Sequence, residues 1–446
     1  MNLENSSKEE CTFAVCGPVD AGKSSLIGVL TSGKLDDGRG TARNKILKHQ
    51  HEIESGRTSN ITFNPLIYSK NKKGTYLNSS STDRKELLEV SDITSEITKE
   101  KIISFIDLAG HEKYLKTTVY GVTGLFPDYG IVVIGANTGI TKLTREHIGI
   151  LFYLKIPFIV CITKIDIAPK HVYQLLCNRL KNFLTKNAFG KITYFISDSE
   201  SSNKETDNFL KNMIGNPEII PIISISNKEG KNIGNLHKLF SEIPPRMKWN
   251  KDEVNGNIVY IDSTFQVPGI GLVVSGMVKG NDINVKDKLQ IGPVNGVFYS
   301  VQVRSIHNSI RENVKNASDQ GQFCFAIKFT NPKSYLERNQ IKKGMVLIDD
   351  LSKWKKNIVR KFYAKVTILQ HSTTIKSGYA PVIHCGPIRQ SATLDLLNND
   401  NKLRSGDGSF VNFKFQYHSE FLEKNMIFFF RDGNTKGVGE VIELLD

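Results

Sequence analysis

The stretch Gly17-Pro18-Val19-Asp20-Ala21-Gly22-Lys23-Ser24 constrains the fold of this chain more than any other. It fits G-x-x-x-x-G-K-[ST], in which glycines let the backbone curl so that successive N–H groups face phosphate oxygens. Thr12-Phe13-Ala14-Val15-Cys16 before it is short, apolar and partly β-branched, as a buried strand is. Ser25-Leu26-Ile27-Gly28-Val29-Leu30 after it has apolar spacing that suits the start of a helix. Strand, turn and helix in that order bring a helix N-terminus and its dipole to the phosphates. Lys23 then reaches the β- and γ-phosphates and the Ser24 hydroxyl ligates Mg²⁺. Gly17, Pro18, Val19, Asp20, Ala21, Gly22 and Ser25 complete the expected cradle. A nucleoside triphosphate is the expected ligand.

The first half alternates strand-like and helix-like segments. Residues 12–16, 102–106, 131–134, 157–162 and 219–225 are short and apolar on both faces, as central parallel strands are. Val172, Leu175, Leu176, Arg179, Leu180, Phe183 and Leu184 keep helical spacing between the last two. The pattern predicts a doubly wound, mostly parallel α/β domain with its ligand beyond the carboxyl ends of the strands. Pro244-Pro245-Arg246 stops a helix at roughly 232–242 and marks a boundary. From about 254 short alternating strands and glycine, asparagine and aspartate turns predict two all-β barrels. The expected division is a flexible stretch at 1–10, a nucleotide domain at 11–246, and barrels at 247–350 and 351–446. Residues 34–62 and 70–100 resist this reading; the second, with Asn71-Lys72-Lys73-Gly74, reads as an exposed insertion.

Two further motifs follow predicted strand ends. In Asp107-Leu108-Ala109-Gly110-His111 the aspartate is placed to hold Mg²⁺ through its water shell, and the Gly110 N–H to sense the γ-phosphate. His111 then occupies a position from which a side chain can orient an attacking water. In Thr163-Lys164-Ile165-Asp166 a carboxylate can accept both N1–H and the exocyclic amine of guanine, which rejects adenine, while the lysine stem covers the base. Ser226-Asn227 would supply a backbone donor to guanine O6. The expected ligand narrows to GTP and GDP.

In this order the motifs resemble the translational GTPases, the superfamily of elongation factor Tu. Thr144-Arg145-Glu146-His147-Ile148 is similar to a segment those proteins share. Within the superfamily the chain resembles the GTP-binding protein 1 and 2 family. The carriers are Leu35-Asp36-Asp37-Gly38-Arg39-Gly40, His51-Glu52-Ile53-Glu54-Ser55-Gly56-Arg57-Thr58-Ser59 and Asp107 to Thr118. Val267 to Gly276 and Arg431 to Gly439 resemble segments of the two barrels, and the likeness is weakest over 70–100 and 185–218. It implies that 34–62 is switch I, with Thr58 its Mg²⁺-sensing threonine. It also implies activation by a ribosome, barrels that help hold tRNA or another RNA, and an exchange factor. Thr163 stands where the superfamily has asparagine, and its hydroxyl can still tie the base loop to the phosphate loop. Asp20 is read in two ways, as part of a monovalent-cation site or as a turn-stabilising aspartate. Arg39, Arg43 and Arg57 are candidates for an internal arginine finger.

Composition sets outer limits. No apolar run is long enough to cross a bilayer, and the polar first ten residues lack a signal core, so a cytoplasmic protein without membrane contact is expected. Six scattered cysteines form no C-x-x-C pair, which points to reduced thiols. The net charge of +14 favours a polyanionic partner. It is spread along the chain: 26 basic and 19 acidic side chains follow residue 250, a net +7, and the rest carries the other +7. The expectation is a monomeric GTPase, slow without an activator, that works with tRNA and ribosomes. The alternative is a GTP-dependent RNA-surveillance or mRNA-turnover factor that uses hydrolysis as a timer.

Overall fold

The computed structural model describes residues 9–47, 52, 58, 60–69, 72–77, 87–89, 101–186, 190–196, 218–246, 256–318, 321–331, 333–397, 402–433 and 435–445. The chain divides into two compact units, residues 1–121 with 127–246, and residues 122–126 with 247–446.

The first unit is built on a nine-stranded sheet. Its strands are β1 (Glu9–Cys16), β2 (Thr62–Ser69), β3 (Lys72–Leu77), β4 (Leu87–Glu89), β5 (Lys101–Asp107), β6 (Tyr129–Gly135), β7 (Phe158–Thr163), β8 (Ile192–Ile196) and β9 (Ile219–Ser224). They lie in the order β4-β3-β2-β5-β1-β6-β7-β9-β8. From β5 to β8 every pairing is parallel, while β2, β3 and β4 join antiparallel at one edge. β5, β6 and β7 are buried along their whole length, in keeping with their mostly apolar sequences. The chain order puts β1 at the centre, where the order of connection reverses and a crevice opens beyond the strand ends.

Among the described residues, these helices accompany the sheet: α1 (Lys23–Ser32), α2 (Thr41–Asn44), α3 (Leu115–Thr123), α4 (Lys142–Tyr153), α5 (Lys170–Lys186) and α6 (Ile233–Glu242). α6 docks through Phe240, whose ring meets Phe13 of β1 at 4.9 Å and Phe105 of β5 at 5.2 Å, both edge-on. α4 opens with a reciprocal cap: the Thr141 hydroxyl accepts from the Thr144 N–H at 3.1 Å, and the Thr144 hydroxyl accepts from the Thr141 N–H at 3.2 Å. α1 begins differently. Gly22 precedes it at φ +90° and no side chain caps it, which leaves its first N–H groups facing the turn.

Glu9 and Glu10, placed in a flexible N-terminus by sequence reading, already pair with β5. β2 falls between the two stretches that sequence reading left without structure. Its Pro65 interrupts the apolar pattern, and the position is tolerated because β3 pairs with β2 only from Leu66 onward. Of the insertion expected at 70–100, the described residues are β3 and β4, which widen the sheet. β8 was missed because it is an edge strand, with Ile192 58% exposed and only Ile196 buried.

The second unit holds two antiparallel barrels. In the first, strands 288–294, 346–348, 257–267, 271–280, 322–329 and 297–307 follow one another, and pairing of 288–294 with 297–307 closes the ring. In the second, strands 361–370, 408–415, 388–396, 382–385, 427–432 and 435–445 form a closed barrel. Alternation is visible in Lys361–Gln370, where Phe362, Ala364, Val366 and Ile368 turn inward. Phe362, Phe413, Phe415, Phe428 and Phe430 fill the interior with ring centroids 5.2 to 6.2 Å apart.

Candidate functional site

The motif residues collect beyond the carboxyl ends of β1, β5, β7 and β9. Parallel strands make this unavoidable, since their C-terminal ends all emerge on the same edge. Lys23 is buried at the start of α1, and its Nζ donates to the Pro18 carbonyl at 3.0 Å. Burial pushes its ammonium below the usual lysine range, and the nearby Asp107 carboxylate opposes that shift. Asp107, fully buried at the end of β5, moves the other way: burial raises its carboxyl, offset by Lys23 and by hydrogen bonds from Ser24 and Thr58.

Three oxygen-bearing side chains meet here from distant parts of the sequence. The Ser24 hydroxyl donates to Asp107 Oδ2 at 2.8 Å, and the Thr58 hydroxyl donates to the same oxygen at 2.9 Å. The two hydroxyls are themselves 2.9 Å apart. Asp107 Oδ1 is buried and has no hydrogen-bond partner among the described residues. Gly110 lies against the phosphate loop so closely that a Cβ there would collide with Lys23 Nζ and crowd the Gly17 carbonyl.

His111 is exposed, and its Nδ1 accepts from the Lys113 N–H at 3.1 Å, which holds the ring on its own turn. Asp20 occupies the left-handed region at φ +60° within the loop. Thr163 ends β7 with its hydroxyl donating to the Ala21 carbonyl at 2.6 Å, a direct strut from base loop to phosphate loop. Lys164 follows at φ +59°. The Ser226 hydroxyl donates to Asp166 Oδ1 at 2.8 Å and accepts from the Glu229 N–H at 3.0 Å, so Ser226 fixes the carboxylate through its side chain. The Asp36 N–H donates to the Asn227 carbonyl at 2.9 Å, fastening the segment after α1 to the same loop.

Of the arginine candidates, Arg39 is exposed, Arg43 lies against Gly40 on its own short helix, and Arg57 falls outside the described residues. So do 51, 53–57 and 59 of the segment around Thr58. Two residues carry more of the site's electrostatics than sequence reading assigned to them. Glu52 is fully buried, raises the Asp107 carboxyl and accepts from the Asn60 N–H at 3.2 Å. Its only signal in the sequence was membership of the long match around Thr58. His147 on α4 is buried with neither ring nitrogen hydrogen-bonded among the described residues, and burial first, then Lys23, lowers it to about 3. In the sequence its one signal is its place in the segment Thr144-Arg145-Glu146-His147-Ile148.

The elongation factor Tu GTP binding domain family matches residues 8–246, more than half of the chain. The chain belongs to that family of translation-factor-like GTPases. GTP-binding protein 1 of Xenopus laevis is 38% identical over 441 residues, covering 98% of this chain and 64% of that protein. GTP-binding protein 2 of Homo sapiens is 34% identical over 447 residues, covering 99% of this chain and 70% of that protein. The chain therefore spans about two thirds of the length of these relatives. The crystal structure of a bacterial selenocysteine-specific elongation factor, EF-Sec, shares the fold with a TM-score of 0.67 at 19% identity. That likeness covers 97% of this chain and 58% of the other. A GTPase domain followed by two barrels is thus the architecture of the GTPase at hand.

Proposed function

We propose that this GTPase binds GTP with Mg²⁺ and hydrolyses it to GDP and phosphate as a translation-factor-like switch. The convergence of Ser24, Thr58 and Asp107 beside Lys23 carries the reading. Hydroxyl and carboxylate oxygens are the donors a hard divalent cation takes, and the unpartnered Asp107 Oδ1 leaves one oxygen free for its water shell. When bound, Mg²⁺ supplies positive charge against the β- and γ-phosphates.

Ser24 and Thr58 would hold the cation directly and Asp107 through water. The buried Lys23 and Asp107 each lack enough countercharge to sit comfortably ionised, and a triphosphate with its cation provides both signs. Lys23 neutralises charge developing on the phosphates, and the Gly110 N–H reports the γ-phosphate to the loop that follows. His111 must leave the Lys113 N–H to orient a water for in-line attack. The water oxygen bonds to the γ-phosphorus as the bond to the β–γ bridging oxygen breaks; the electron pair leaves with GDP, and the water's proton passes to an oxygen of the released phosphate. Asp166, held by Ser226, accepts the two guanine donors, and Lys164 covers the base. A monovalent cation between Asp20 and the phosphates would relieve their repulsion. Unassisted turnover would be slow, ~10⁻⁴ to 10⁻² per second.

The names of relatives that read elongation factor, together with the +14 charge, support work with ribosomes and tRNA. In this reading 11–246 is the switch domain, and the barrels at 247–350 and 351–446 face the RNA. Single-turnover GTP hydrolysis, alone and with ribosomes, tests it on the native chain and on His111→Ala. A ribosome-dependent acceleration lost in the variant is the expected result. Equal slow rates in all four conditions would remove the ribosome from the proposal.

A further inference from the structure

A second concave site lies in the first unit, beside the Thr163 loop. It is a cavity of about 540 Å³ between α4, α5 and the turn at 136–140. Its volume falls within the range of small-molecule pockets. None of its lining residues belongs to the phosphate loop, to Asp107–His111 or to Thr163–Asp166.

Its chemistry is one-sided. Leu176 and Phe183 of α5 form an apolar floor, and Leu175 beside them is 50% exposed. The polar wall contains Arg145, Arg179 and Asn182, and among the described residues no acidic side chain lines the cavity. α5 itself has no aspartate or glutamate in its whole length. The Arg145 guanidinium lies over the Phe183 ring, 5.8 Å from its centroid. Neither arginine has a carboxylate partner among the described residues. Two guanidinium groups without a carboxylate partner among the described residues, above an apolar floor, select for an anion that has an apolar body.

The cavity wall is also one bond from the nucleotide machinery. The Ala136 N–H donates to the Thr163 carbonyl at 2.8 Å, and the Thr163 hydroxyl donates in turn to the Ala21 carbonyl at 2.6 Å. On α4, Arg145 faces the cavity, and His147, about 200° further round the helix, is buried on the other side. A ligand that pulled Arg145 or the 136–140 turn inward would load the strut between the base loop and the phosphate loop.

We propose that this cavity binds a small amphipathic anion, its head held by Arg145 and Arg179 and its apolar body on Leu175, Leu176 and Phe183, and that occupancy alters nucleotide release. The second half rests on the reading of the chain as a guanine-nucleotide switch; the first does not. The probes are 8-anilinonaphthalene-1-sulfonate, an aromatic sulfonate whose fluorescence rises in apolar sites, and decanoate, a carboxylate that competes with it. The full chain should titrate to one saturable dye site per molecule, emptied by decanoate. Arg145→Ala with Arg179→Ala should weaken dye binding about tenfold, since charge-assisted contacts are lost. Arg145→Lys with Arg179→Lys should recover part of it. Both arginines are exposed, so circular dichroism should match the native spectrum. Decanoate should change the release rate of radiolabelled GDP at least about threefold in the native chain and not in the alanine double variant, the range of a modest coupling free energy.

Dye binding that the alanine variant leaves intact overturns the site. Binding at the site with no change in GDP release overturns the coupling. Dye binding by a chain that takes up no GDP refutes the nucleotide reading and the coupling with it, while the cavity assignment stands.

Discussion

The nine-stranded unit and the second barrel both bury long stretches of aliphatic and aromatic side chain, yet they handle strand ends in opposite ways. In the sheet, parallel strands release their C-termini along one edge, and the chain there turns through glycines and polar residues. Ser24 meets Asp107 across 83 residues, and Thr163 meets Ala21 across 142. Buried ionisable groups collect at that edge, Lys23, Asp107, Glu52 and His147 among them. In the second barrel the hydrogen-bonding closes on itself, and the interior is a cluster of apolar side chains around stacked phenylalanines. One architecture concentrates strain and uncompensated charge where a ligand can use them. The other places a cluster of phenylalanines at its centre.

The contrast can be broken from the barrel side first. Phe428 is fully buried among Phe362, Phe413 and Phe430. Phe428→Ala should cost about 3–5 kcal/mol. In calorimetry of the full chain it should lower the transition that GDP does not shift and leave the GDP-sensitive one in place. Concerted loss of both would mean that the units do not melt separately. From the sheet side, Lys23→Ala should slow single-turnover GTP hydrolysis by about 10²–10³-fold, the scale for removing one preorganised charge contact. Its melting temperature should hold or rise, because burial of the ammonium already works against the fold.

Acid should separate the two regions by a smaller margin. Burial holds His147 at about 3 and His237 at about 4, against about 6.5 in an unfolded chain. Both folded values are depressed, so the stability these neutral rings contribute is present above pH 6.5 and is lost as pH falls through that value toward 4. Each should cost on the order of 1–2 kcal/mol between pH 7 and 5. Melting followed against pH in His147→Leu should show a shallower decline than in the native chain. An equal slope would remove His147 from the account. The smallest effect is expected at the strut. Thr163→Val deletes one buried hydrogen bond worth about 1 kcal/mol and should speed GDP release roughly fivefold, read by filter binding.

The central strands, the α5 and α6 periodicities and the closing barrels were legible because each is a local pattern repeated over enough residues to exceed chance. β2 and β8 were not. Pro65 disguises β2, and β8 has little to bury because it sits at an edge. The turn at 17–24 was legible through its glycines: Gly22 sits at φ +90°, and a Cβ on Gly17 would collide with the Val133 carbonyl. The role of Ser226 was readable only in part. Sequence reading gave it a backbone contact to guanine, whereas its hydroxyl also holds Asp166, a bond between residues 60 positions apart.

Chain order alone determined that a phosphate loop, an Asp107-to-His111 loop and a Thr163-to-Asp166 loop follow strands, because each motif is read within a dozen residues. It also determined the change from helical to strand period after Arg246, which separates sheet from barrels. Tertiary structure decided which distant side chains share an oxygen, which histidine is stripped of water and where two arginines meet an apolar floor. Those facts depend on the relative placement of elements that no local pattern encodes. Burial and charge compensation arise only once strands from β1 to β9 have been ordered side by side.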